Sequence, residues 1–151
     1  MRTIQRDIVA GLIVSKDNKF LFGMKDPKGG GVYVDCWHIP GGGINEGETR
    51  EQALKREVAE ELGLDISEAK VSLLDDKGLG QAEKTLKDTG EKVLVKMKFY
   101  VYRINYDKNA SEILVSAGDD IEKTMWADPL KLKEYKLTPP SVELFTQLGW
   151  M

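Results

Sequence analysis

Residues 37–64 read WHIPGGGINEGETREQALKREVAEELGL: a glycine-rich turn, a short acidic loop, then a helix. The helix has clear limits. Thr49 followed three residues later by Gln52 is a capping-box pattern. Leu54, Val58 and Leu62 recur every four residues and give one apolar stripe. Gly63 can adopt the left-handed conformation that ends a helix. Helical residues advance by about 100° each, so Glu57, Glu60 and Glu61 share a face turned away from the stripe. Three neighbouring carboxylates repel one another, and a hard divalent cation that takes oxygen ligands makes the arrangement favourable. The plain alternative is a solvated acidic face balanced by Lys55 and Arg56.

Working outward, residues 4–15 read as a buried strand and residues 20–25 as its return, joined by a turn at Asp17-Asn18. Residues 27–31 form a flexible loop, and residues 32–39 a short mixed segment. Beyond the helix, residues 71–74 suit a strand and residues 78–90 a polar loop or hairpin end. Residues 92–105 (KVLVKMKFYVYRIN) form the longest β-type run. Residues 112–115 and 124–127 are shorter strand candidates. Asp128-Pro129 starts a short helix, and Thr138-Pro139-Pro140 starts a last one with Val142, Phe145 and Leu148 at helical spacing. The mixture implies an α/β (α+β) fold with a mixed sheet between helices, in a single domain over residues 1–151.

Composition narrows the function. The chain has 151 residues, 41% hydrophobic and 31% charged, with a net charge of -3. That charge disfavours a nucleic acid polymer as partner. Cys36 is the only cysteine, which leaves no intrachain disulfide to form. The apolar run at residues 8–14 is too short to span a bilayer, and no signal-peptide pattern precedes it. The expectation is a cytoplasmic protein without a membrane partner.

Residues 42–64 follow the pattern G-x5-E-x7-R-E-V-x-E-E-x-G-L, carried by Gly42, Glu48, Arg56, Glu57, Val58, Glu60, Glu61, Gly63 and Leu64. This resembles the Nudix box at every fixed position. The resemblance implies an α/β/α sandwich with a central mixed sheet. It also implies hydrolysis of a nucleoside diphosphate linked to another group, assisted by Mg2+ or Mn2+. It assigns the ion to Glu57, Glu60 and Glu61 with the Gly41 carbonyl, and it pairs Arg56 with Glu48 as supports of the loop that carries Gly42. The general base is open: Asp120 is the first choice, Asp119 the second and Glu57 the alternative. Lys25, ending the second strand, is a candidate phosphate contact. His38 reads as a strand-end residue, and Trp126 and Trp150 as packing residues.

Markers of the ADP-ribose, dinucleoside polyphosphate, NADH and coenzyme A subgroups are missing. The compact chain, the entry turn at residues 37–43 and the segment 118–126 resemble nucleoside triphosphate pyrophosphohydrolases of the mutator or pyrimidine-preferring type. The expected substrate is therefore a nucleoside or deoxynucleoside triphosphate, cut to monophosphate and pyrophosphate. The alternatives are a nucleotide sugar, ADP-ribose or another nucleoside diphosphate derivative, or a nucleotide-sensing module without turnover. A homodimer is left open, with the apolar segment 144–151 as either contact area or core.

Overall fold

A computed structural model describes residues 1–29, 33 and 35–151. The expected segments 27–31 and 32–39 fall partly outside these residues, at 30–32 and 34. The strands are β1 (Arg2–Val14), β2 (Phe20–Lys25), β3 (Gly41–Gly43), β4 (Lys70–Thr85), β5 (Lys92–Asn105) and β6 (Ile121–Ala127). The α-helices are α1 (Arg50–Leu62) and α2 (Pro139–Gln147), and short 3-10 turns fill several connections. One sheet runs in the order β4-β5-β1-β2-β6, with β3 added to β1. β1 and β5 are parallel, while the other pairs are antiparallel. The sheet is therefore mixed, as expected.

The side-chain alternation of β1 sorts the core into two layers. Val9 and Ile13 face α1 and pack with Leu54, Val58, Leu62, Tyr102 and Ile104. Ala10, Leu12 and Val14 face the opposite side and pack with Phe20, Phe22, Leu132, Leu144 and Phe145. Helices therefore cover both faces, which makes the α/β/α sandwich. Leu54, Val58 and Leu62 are fully buried, and each contributes roughly 1.5–3 kcal/mol by leaving water. Thr49 and Gln52 exchange both capping-box bonds, and Gly63 ends α1 at φ 66°.

Four expectations need correction. Residues 78–85 are not a loop: β4 continues to Thr85, paired residue for residue with β5 from Gly78 onward. The half-buried positions of this stretch are Gly78, Gly80 and Ala82, which alternate with exposed residues but carry no large apolar side chain, so the alternation that normally marks a strand is not visible in the sequence. Residues 112–115 form no strand; a 3-10 turn over Ala110–Glu112 leads into an extended segment. Ile113 is buried there by packing against the α1 layer, so its apolar character reflects the core and not a ladder. In α2 the buried stripe is Ser141, Leu144 and Phe145, while Val142 is exposed. Part of residues 27–31 is ordered as a 3-10 turn over Pro27–Gly29.

The segment 144–151 belongs to the chain's own core. Trp150 stacks on Phe145 with ring centroids 5.7 Å apart, and both rings approach Phe20. Among the described residues, no helix is long and apolar enough to cross a membrane.

Candidate active site

The acidic face of α1 lies where the helix meets β3 and the segment before β6. Arg56 sits at its centre. Its Nε donates to Glu48 Oε2 at 2.7 Å and its Nη2 to Glu48 Oε1 at 2.9 Å, a bidentate pair. The same guanidinium donates to the Gly43 carbonyl at 3.0 Å, to Glu57 Oε1 at 2.8 Å and to Glu60 Oε2 at 3.3 Å. Glu48 Oε1 also accepts from the Asn45 backbone N–H at 2.8 Å. One cation thus ties the loop, β3 and the helix together. The Arg56 hydrogen bonds, followed by that of Asn45, hold the Glu48 carboxyl down at about 2.

Glu57 is buried against β3. A Cβ built on Gly42 would stand 2.5 Å from the Glu57 carboxylate, so only glycine lets the acid rest on the strand backbone. Burial pushes the Glu57 carboxyl up, against the pull of Arg56. Glu61 is 2% exposed, and its Oε1 has no hydrogen-bond partner. Burial first, then the neighbouring carboxylates of Asp120 and Glu57, push Glu61 up to about 9.

Residues 116–120 complete the site from outside the motif. The Ser116 N–H donates to the Leu62 carbonyl at 2.9 Å, and the Gly118 N–H to the Glu61 carbonyl at 3.0 Å. These bonds satisfy carbonyls that a helix end leaves without partners. They also dock the segment on α1 and deliver two aspartates. Asp119, in a left-handed conformation at φ 53°, joins Glu57 and Glu60. Oxygens of these three acids lie within 4.8 Å of one another. Asp120 lies against Glu61, and its Oδ2 is 3.6 Å from Lys25 Nζ.

The sequence expectations are thus redistributed. Glu57 and Glu60 come together as read. Asp119, read as the second choice for a base, stands in the acid cluster with them. Glu61 stands deeper, beside Asp120. Gly41 pairs with Ala10 of β1, one residue before the glycine that supports Glu57. What sequence reading missed is that Asp119 meets the helix acids. The available signal was the glycine before it: a Cβ on Gly118 would stand 2.6 Å from the Glu60 carbonyl oxygen.

The all-oxygen cluster of Glu57, Glu60 and Asp119 suits a hard divalent cation, and the partnerless Oε1 of Glu61 stands apart from it, beside Asp120. Next to the acids, a cavity of about 280 Å³ opens on the α2 side of the sheet. Lys25, His38, Gly41, Gln81, Phe99 and Gln147 are among the residues that line it. The box acids themselves are not in its lining. His38 is held by backbone hydrogen bonds with Gly23 at 2.9 and 3.0 Å, in an isolated bridge and not at the end of a strand, and its Nε2 is buried without a partner. Burial, then the nearby Lys25 charge, lowers the imidazole to about 4.

Comparison with known proteins supplies the family. The NUDIX domain matches residues 5–148. A nucleoside triphosphatase NudI from Escherichia fergusonii is 29% identical over 136 residues, covering 88% of this chain and 89% of that protein. An RNA pyrophosphohydrolase from Hydrogenovibrio crunogenus is 39% identical over 66 residues, which are 44% of this chain and 36% of that protein. The chain thus matches only about a third of that relative's length. In fold, the chain is similar to the MutT protein from Methanosarcina mazei Go1. The TM-score is 0.66 at 21% identity, over 99% of this chain and 96% of the other. With its sandwich, its acid-bearing helix and a match over nearly its whole length, the chain belongs to the Nudix hydrolase family and is a pyrophosphohydrolase.

Proposed function

We propose that this enzyme hydrolyses a nucleoside or deoxynucleoside triphosphate to the monophosphate and pyrophosphate, with Mg2+ as its cation and Mn2+ as a substitute. The observation that carries this reading is the shared border of two unlike spaces. Two residues that line a mostly apolar cavity lead to the acids: Lys25, 3.6 Å from Asp120, and Gly41, which precedes the Gly42 on which Glu57 rests. A nucleotide has the same division, with a base and sugar at one end and phosphates at the other. The nucleoside triphosphatase relatives, matched over most of both chains, agree with it.

In this reading Glu57, Glu60 and Asp119 hold the cation, with Glu61 and the Gly41 carbonyl completing its surroundings. When bound, the cation neutralises phosphate charge and lowers the pKa of a coordinated water. Arg56, committed to Glu48, Gly43 and the two helix acids, positions those acids and stays away from substrate. Lys25 directs its ammonium to the phosphates from the cavity side. Asp120 takes the proton of the attacking water on a carboxylate oxygen. Phe99 offers an apolar wall to the base, while Gln81 and Gln147 offer hydrogen bonds at its edge.

A panel of nucleoside triphosphates, nucleotide sugars, ADP-ribose and dinucleoside polyphosphates, assayed with Mg2+, tests the reading. Pyrophosphate release from one or more triphosphates is the expected result. Turnover of ADP-ribose or a nucleotide sugar far above every triphosphate would replace it with the alternative substrate class. Binding without turnover under either ion would point to a sensing module.

A further inference from the structure

The cavity carries its opposite charges at separate sides. Among the described residues in its lining, Lys25 is the one lysine or arginine, and Asp75 and Glu143 are the acids. Lys25 belongs to β2 and Asp75 to β4, with β1 and β5 between them. Three strand spacings make that separation roughly 14 Å. Asp75 is half-buried and stands where the β4–β5 register shifts on both sides of it, between Leu73 and Asp75 and again between Asp75 and Gly78. Such irregularities re-aim side chains. Its Oδ2 accepts the Lys77 backbone N–H at 3.1 Å, and no other hydrogen bond reaches this carboxylate among the described residues. Glu143 lies on α2, one turn before Gln147, which lines the same cavity. Neither acid forms an ion pair among the described residues.

Two unpaired acids repel an anionic substrate unless they meet hydrogen-bond donors on it. An ionised carboxylate only accepts. A triphosphate therefore lies with its phosphates towards Lys25 and turns its base towards β4 and α2. There an exocyclic amino group gives a carboxylate an N–H donor. A carbonyl oxygen in the same place sets two acceptors against each other and leaves both without a partner. We propose that Asp75 and Glu143 select bases that bear an exocyclic amino group, as in cytosine and guanine, over counterparts that lack it, as in uracil and hypoxanthine. The inference rests on the cavity holding the nucleoside, as proposed for the triphosphate reaction. A polar group left unpaired rejects the wrong ligand more strongly than an apolar wall rejects a change of shape. Phe99 thus supplies adhesion to any base, and the acids supply the choice.

Isothermal titration with nucleoside monophosphates, CMP against UMP and GMP against IMP, tests this in chelator-treated protein without any turnover. The amino-bearing member is expected to bind roughly tenfold or more tighter in at least one pair. With Mg2+, kcat/KM for CTP against UTP and for GTP against ITP is expected to follow the same order. Asp75→Asn and Glu143→Gln keep the shape of each side chain and exchange an acceptor oxygen for an N–H donor. At least one of them, or the two combined, brings the ratio near one, because the new amide serves the carbonyl of the other base. Thermal unfolding confirms that each variant is folded, and Glu143→Gln, at an exposed position, serves if Asp75→Asn is not. A ratio below roughly tenfold in both pairs, or no measurable binding by any of the four, would overturn the inference. A preference that survives in the folded variants would overturn it equally. Failure of every triphosphate to turn over would instead strike the triphosphate reaction, while the monophosphate ratios still decide the choice of base.

Discussion

Gly118 touches the last turn of α1 so closely that a Cβ on it would stand 2.6 Å from the Glu60 carbonyl oxygen. Neither partner in that clash is a flexible side-chain end, so even Gly118→Ala must move backbone. The segment that moves carries Asp119 and Asp120. Gly118→Ala is expected to lower kcat by roughly tenfold or more, since small misplacements of reacting groups are costly. Steady-state kinetics against the wild type checks this, with circular dichroism confirming an intact fold.

Glu60 is the most exposed of the acids that Arg56 contacts. Glu60→Gln removes a charge from the proposed cation site while leaving the helix core untouched. Turnover should fall by roughly a hundredfold or more with little change in Tm. Isothermal titration with Mn2+ should show weakened ion binding in parallel. Full activity with unchanged binding would remove Glu60 from the ligand set.

Arg56→Lys keeps a positive charge and loses the planar fork. The bidentate contact with Glu48 cannot be reproduced by an ammonium, and several of the five hydrogen bonds made by the guanidinium disappear. Stability and activity should both suffer, with Tm down by roughly 5–10 °C. Differential scanning calorimetry and kinetics on the same preparation separate this from a purely chemical defect.

Glu61 gives a pH prediction with a definite sign. Its folded pKa of about 9 stands above the unfolded value of 4.5. Below pH 4.5 the carboxyl is protonated in both states and costs nothing. Between pH 4.5 and 9 the unfolded chain ionises this carboxyl while the folded state keeps its proton, so stability falls across that window and levels off above 9. Glu61→Gln should therefore raise stability in chelator-treated protein at pH 8, by on the order of 2 kcal/mol. Added Mn2+ should narrow that gap by stabilising the wild type more than the variant. Urea unfolding with and without ion measures both.

His38 works in the opposite direction. Its folded pKa of about 4 lies below the unfolded 6.5, so the neutral ring stabilises the fold above pH 6.5. Stability then falls as acid drives the pH from 6.5 towards 4. His38→Gln should flatten unfolding free energy over that window, as urea titrations at several pH values would show.

The parts legible in the sequence were those governed by neighbours along the chain. The Thr49–Gln52 cap, the Leu54–Val58–Leu62 stripe and the Gly63 stop are all local, and all three form as read. β2 and β5 keep the expected bounds because their apolar residues are buried by the sheet. The far half of β4 was illegible because its half-buried positions are filled by Gly78, Gly80 and Ala82, too small to display an apolar alternation. Asp119 joins the helix acids through backbone bonds from residues 116 and 118 to the end of α1. Backbone bonds of that kind leave no side-chain signature. Ile113 misled for a related reason: an apolar residue in a loop can fill a core without entering a ladder.

The parallel alignment of β1 with β5 bears on how the chain acquires its shape. Arg2 lies opposite Val93 and Val14 opposite Asn105, partners roughly ninety residues apart along the chain. During synthesis the first strand must wait for most of the polypeptide before its long inner neighbour exists. The acid-bearing helix emerges in that interval with one side of its platform still missing. Closing so large a loop before any reward favours slow, late consolidation, and a nascent chain stalled before residue 92 would hold the catalytic motif without a formed active site.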